Sequence, residues 1–72
     1  MHTFMFEYQD GHQIQCSRIS TVQYETSKLI TVEEDELATH NFPLNREIHL
    51  TGDQVNYTVS PDGLRAIFIA KG

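Results

Sequence analysis

Each internal glycine of this chain stands at a break between two stretches in which apolar and polar residues alternate. Gly11 closes Gln9-Asp10-Gly11, Gly52 sits within Thr51-Gly52-Asp53, and Gly63 ends Ser60-Pro61-Asp62-Gly63. A residue free to take positive φ, placed where a period of two is interrupted, marks a tight turn between strands. Val, Ile, Thr, Tyr and Phe fill the intervening stretches, and such residues favour a pleated surface. The expectation is a mainly β protein. At 72 residues the chain has room for one domain, residues 1–72, and one small core. No linker, repeat or low-complexity tract divides it.

The turns also predict registers. A two-residue turn at Asp10-Gly11 would set Phe6 against Gln15. A four-residue turn over Tyr8–Gly11 with a left-handed Gly11 sets Tyr8 against His12, Phe6 against Ile14 and Phe4 against Cys16. Only the second gathers Phe4, Phe6, Tyr8, Ile14 and Cys16 on one side, so burial selects it. At Thr51-Gly52-Asp53 the glycine is expected to supply the positive φ of a hairpin joining residues 47–51 to 54–60. Ser60-Pro61-Asp62-Gly63 suits a type I turn with Pro second and Gly in the left-handed bulge position. That hairpin would set Tyr57 opposite Ile67 and Val55 opposite Ile69. Its reverse side would carry Leu64, Ala66 and Phe68. The last strand is then apolar on both faces, so it is either central and covered twice or uses its second face to bind.

In the middle of the chain, residues 19–26 alternate and residues 29–33 read as a further strand. The alternation slips by one between Cys16 and Ile19, predicting a bulge or bend near Arg18. Thr31 and Glu34 have capping-box spacing, which allows one or two helical turns over 33–39, ended by Pro43. The fold expected is a small single-domain, meander-rich barrel or roll of about six strands, with one short helix near residues 33–40. Its core should include Phe4, Phe6, Ile14, Val22, Ile30, Ile48, Leu50, Val55, Tyr57, Val59, Ile67 and Ile69.

Chemistry-bearing residues are sparse. One cysteine, Cys16, excludes an intrachain disulfide and fits a reducing compartment. No apolar run reaches the roughly 20 residues of a membrane span. Met1 is followed by no targeting segment, so a complete, small cytoplasmic protein of bacterial or phage type is expected. Four histidines suggest a metal, but His12 and Cys16 would lie about 13 Å apart along one strand and no pair has zinc-module spacing. Cys16 facing Phe4 is a core thiol without a base, not a nucleophile. The glycines sit in turns and form no phosphate-binding loop. The expectation is therefore a non-enzyme without cofactor or metal.

Ten acidic residues against five scattered basic ones argue against direct nucleic-acid binding, which relies on cations over the phosphates. Two functions from different classes remain. The first is a non-catalytic protein-interaction module, self-associating as a homodimer, with Leu64 and Phe68 as the docking surface and Arg65 at its rim. The second is an acidic inhibitor or decoy that docks Glu33, Glu34, Asp35 and Glu36 on the basic, nucleic-acid-binding surface of a target protein.

Overall fold

The computed structural model describes all 72 residues. Six strands form one antiparallel sheet: β1 (His2–Tyr8), β2 (Gln13–Glu25), β3 (Leu29–Val32), β4 (Ile48–Gly52), β5 (Val55–Val59) and β6 (Leu64–Lys71). Their order is β5-β4-β2-β1-β6, with β3 added alongside the distal part of β2. A single 3₁₀ turn, Glu34–Glu36, falls within the segment where a short helix was expected. The protein is mainly β, as the alternation predicts.

The first hairpin takes the register that buries the coherent face. Phe4 lies opposite Cys16 and Phe6 opposite Ile14. Gly11 closes the turn at φ 94°, and the Gly11 amide donates to the Tyr8 carbonyl at 2.9 Å. The slip in alternation is also real. Arg18 stands at φ 60°, and the pairing of β1 with β2 jumps so that His2 meets Ile19. This bulge bends the 13-residue β2 and lets it serve two groups of strands. Its first half holds β1, while its second half holds β4 on one edge and β3 on the other.

Two turn expectations need correction. Gly52 is not the left-handed residue of its hairpin; Gln54 is, at φ 59°. Gly52 is required for another reason: a Cβ there would lie 1.7 Å from the Arg18 carbonyl oxygen. The strand thus passes directly against the bulge, where any side chain is excluded.

The second correction concerns the last hairpin. Gly63 is left-handed at φ 77°, but the turn closes from the Pro61 carbonyl to the Leu64 amide, one residue later than the expected type I turn. The strands on either side do not pair. β5 pairs with β4, and β6 pairs with β1 over seven residues from His2↔Lys71 to Tyr8↔Leu64. Tyr57 therefore faces Leu50 and Ile67 faces Phe6. The physical reason is the long free edge of β1. A local hairpin would leave that edge unpaired, whereas docking β6 there satisfies it and lays Ile67 and Ile69 beside Phe6 and Phe4.

Residues 60–63 are thus a corner joining the two ends of the strand order, and only a curled sheet brings those ends within four residues. The roll is open, because β5 and β6 share no ladder. Its inner face is one cluster that includes Phe4, Phe6, Ile19, Val22, Ile48, Leu50 and Val59. Leu37 and Phe42, from the irregular stretch before β4, plug this face, with the Phe42 ring edge-on to Phe4 at 5.5 Å. Ile14, expected in the core, is 37% exposed. Ile30, Val55, Tyr57, Ile67 and Ile69 are partly buried against the cluster. No helix is long and apolar enough to cross a membrane.

Candidate interaction surface

β6 ends the strand order on one side, so one of its edges carries no partner strand. Its alternation sorts side chains across the sheet. Ile67 and Ile69 point inward beside Phe6 and Phe4, and Ala66, Phe68 and Ala70 take the outward positions opposite Glu7, Met5 and Thr3. Phe68 is 53% exposed. Thr3, Met5, Gln15, Phe68, Ile69 and Ala70 line a shallow depression of about 230 Å³ on this side. The dilemma posed by a strand apolar on both faces is thereby resolved: β6 is an edge strand, and its outward face is uncovered.

Leu64 does not belong to this surface. The pairing of β1 with β6 shifts between Glu7 and Tyr8, so Leu64 meets Tyr8 and Ala66 meets Glu7. Arg65 is the extra residue, and the bulge turns Leu64 inward, where it is only 6% exposed. The sequence pattern placed Leu64 with Phe68 because an uninterrupted strand would do so. Arg65 itself is exposed beside Ala66, with its Nε 3.7 Å from a Glu7 carboxylate oxygen. A pair this open contributes little to stability.

A second groove runs on the inner side of β6, with Ile67 and Ile69 on one wall and His40, Phe42 and Leu44 among its other lining residues. His40 is held there through its Nε2, 2.8 Å from the Tyr24 hydroxyl.

The acidic run is not four equivalent charges. Glu33, Asp35 and Glu36 are exposed and make no ion pair, but Glu34 is engaged. Its carboxylate accepts from the Met1 ammonium at 3.0 Å and lies 2.7 Å from His2 Nδ1. The ammonium contact, then the imidazole, holds the Glu34 carboxyl below its usual range. The expected capping box is absent: Glu33 is the residue before the 3₁₀ turn, and no side chain caps it.

The remaining candidates are engaged within the fold. Cys16 is fully buried opposite Phe4, and burial pushes its thiol pKa up. His12 contacts Asp10 at the tip of the first hairpin, and the His12 backbone amide leads in lowering the Asp10 carboxyl. His49 lies between Glu47 and Thr58. No three His, Cys, Asp or Glu side chains converge as a metal set would.

No protein-family model, curated protein or solved structure matches this chain at a significant level.

Proposed function

We propose that the chain is a non-catalytic protein-interaction module that self-associates through β6. The observation carrying this reading is an eight-residue edge strand whose centre, residues 66–70, holds no charge, Pro or Gly and whose outward aromatic, Phe68, is half exposed. Natural edges are shortened, charged or covered because an open ladder recruits another strand. The other terminal strand, β5, follows that rule: it has only five residues and carries Asn56 and Thr58 at its exposed positions. β6 departs from it everywhere except at Arg65 and Lys71. A small β domain also gains stability by mass action when it pairs.

The titrating groups displaced from their ordinary range are engaged within the fold. Tyr8, Asp10, Cys16 and Glu34 are each accounted for by burial or by a contact within the fold. The single, buried free cysteine fits a reducing cytoplasm. A second reading, acidic docking on a basic target, draws support from the exposed, unpaired Glu33, Asp35 and Glu36.

Light scattering on wild type and Phe68→Asp tests the first reading. The expected result is a wild-type dimer and a folded, monomeric variant whose urea midpoint no longer depends on protein concentration and matches that of wild type diluted to monomer, since Phe68 is outside the core. A wild type that stays monomeric up to millimolar concentration overturns it. Salt separates the two readings, because charge-driven docking weakens as ionic strength rises and apolar docking does not.

A further inference from the structure

Residues 65–71 read Arg-Ala-Ile-Phe-Ile-Ala-Lys. From Ala66 to Ala70 the order is the same in both directions, centred on Phe68, with one base at each end. A strand with this symmetry is suited to pairing with itself, because a twofold axis brings each position against its mirror image. We infer that the occupant of the free edge of β6 is β6 of a second copy, antiparallel, with the axis at Phe68. This rests on the self-association proposed above and specifies its geometry.

Symmetry and pleat together select the register. If the axis is normal to the sheet, both copies show the same face outward, so residue numbers of facing pairs must sum to an even value. Centring on Ile67 would set Arg65 against Ile69 of the partner subunit. Centring on Ile69 would set Lys71 against Ile67 of the partner subunit. Only the centre at Phe68 matches all five apolar residues with apolar residues.

The surrounding surface fits the same placement. Outward, the sequence small–large–small of Ala66, Phe68 and Ala70 leaves room beside the axis for two phenyl rings. Inward, the isoleucines of the incoming strand meet the groove walled by Phe42 and Leu44. Leu44, 42% exposed, gains cover there. The cost is at the ends, where Arg65 faces Lys71 of the partner subunit twice, on copies that each carry a net charge of −5. Screening therefore helps, and the dimer should tighten several-fold between about 0.05 and 0.5 M salt.

Cysteine pairs test the register. Ala66 and Ala70 sit on the outward face and accept Cys with little change in volume. In the inferred dimer, Ala66 lies opposite Ala70 of the partner subunit, at the roughly 4.5–5.5 Å Cα spacing of facing antiparallel residues, which a disulfide spans. Like positions are about 13 Å apart along the strands. Under mild oxidation, an equimolar mixture of Ala66→Cys and Ala70→Cys should give a covalent dimer, and each variant alone should not. The parent protein, whose only thiol is the buried Cys16, is the blank, and urea midpoints establish that both variants are folded.

A dimer by light scattering with no cross-link in the mixture, or with cross-links in one variant alone, overturns this register and leaves self-association standing. A monomer at every concentration overturns both. Tightening with salt supports the inferred ends, whereas weakening with salt overturns them.

Discussion

The backbone of Gly52 lies against the carbonyl of Arg18 so closely that a Cβ on Gly52 would stand 1.7 Å from that oxygen. The same carbonyl accepts from the Asp53 amide at 3.2 Å. Arg18 is the left-handed bulge residue that bends β2, and Gly52 is the last residue of β4. The bend and the β4–β5 hairpin are therefore one junction. Gly52→Ala must displace backbone on one strand or the other, and neither is a flexible side chain. Overpacking of this kind typically costs about 1–3 kcal/mol, and the backbone contact puts this case at the upper end or beyond. Urea denaturation of Gly52→Ala should show the loss, while Gly11→Ala, which meets no atom within 4 Å, is strained only by its positive φ and should lose about 1–2 kcal/mol.

How much of this was legible in the sequence follows from which signals are local. The first hairpin could be read because Gly11 and the alternation of Phe4, Phe6 and Tyr8 constrain the same register. The bend at Arg18 showed as a slip between Cys16 and Ile19. At Gly63 the turn residue specified a local reversal but not which strand β6 would join. That choice belongs to the free edge of β1, more than fifty residues earlier in the chain.

The misplacement of Leu64 follows from the same point, since the bulge at Arg65 arises only when β6 is laid on β1. Leu37 and Phe42 were missed for another reason. They lie in an irregular segment with no period, and the only trace of them is two large apolar residues in an otherwise polar stretch. Of the candidate surface, the alternation marked Phe68 and Arg65 only as positions on a strand apolar on both faces, and whether that strand was a covered centre or an open edge depended on where β6 paired. The dissimilar fate of Glu34 among its acidic neighbours could not be read, since it depends on where Met1 and His2 end.

Glu34 has a pH signature of definite sign. Its carboxyl is held low in the folded state by the Met1 ammonium and His2, so the folded protein binds fewer protons there than the unfolded chain does. The resulting stabilisation is present above the ordinary glutamate pKa and disappears as pH falls through the depressed folded value. Urea midpoints of wild type should therefore fall on the acid side, and Glu34→Gln should flatten that limb. Glu33→Gln, which removes an exposed charge without a partner, should leave the slope as it is. Equal slopes for wild type and Glu34→Gln would show that the contact carries no linkage.

Cys16 offers a probe of global opening. It is fully buried, faces Phe4, and its thiol is pushed toward the protonated form by burial. Attack on a disulfide reagent needs a thiolate and access. In the native state both are withheld, so labelling by an aromatic disulfide should be slow at neutral pH. Its rate should rise with urea in parallel with the unfolded fraction. Rapid labelling without denaturant would mean that the first hairpin opens on its own. The linkage here runs the other way from Glu34: the folded state keeps its proton where the unfolded chain begins to lose it, so this contribution to stability declines as pH rises past the ordinary thiol value.

The corner between β5 and β6 depends on Tyr8 more than its loop sequence suggests. The Tyr8 hydroxyl donates to the Ser60 carbonyl at 2.8 Å, and the next residue's amide, on Gln9, donates to the Gly63 carbonyl at 2.8 Å. These two bonds tie the end of β1 to both sides of the turn that joins the opposite ends of the sheet. Burial, with smaller contributions from Cys16 and Asp62, raises the Tyr8 pKa, which keeps the hydroxyl a donor across the whole neutral range. Tyr8→Phe keeps the ring in the core and removes only the Ser60 bond. The expected loss is about 1 kcal/mol, typical of a single hydrogen bond. Because the edge of β6 is untouched, the proposed dimerisation, measured by light scattering, should be the same for this variant as for wild type. A variant that is equally stable but no longer dimerises would mean that the corner, rather than the strand edge, governs association, and would redirect the search for the interface to residues 60–63.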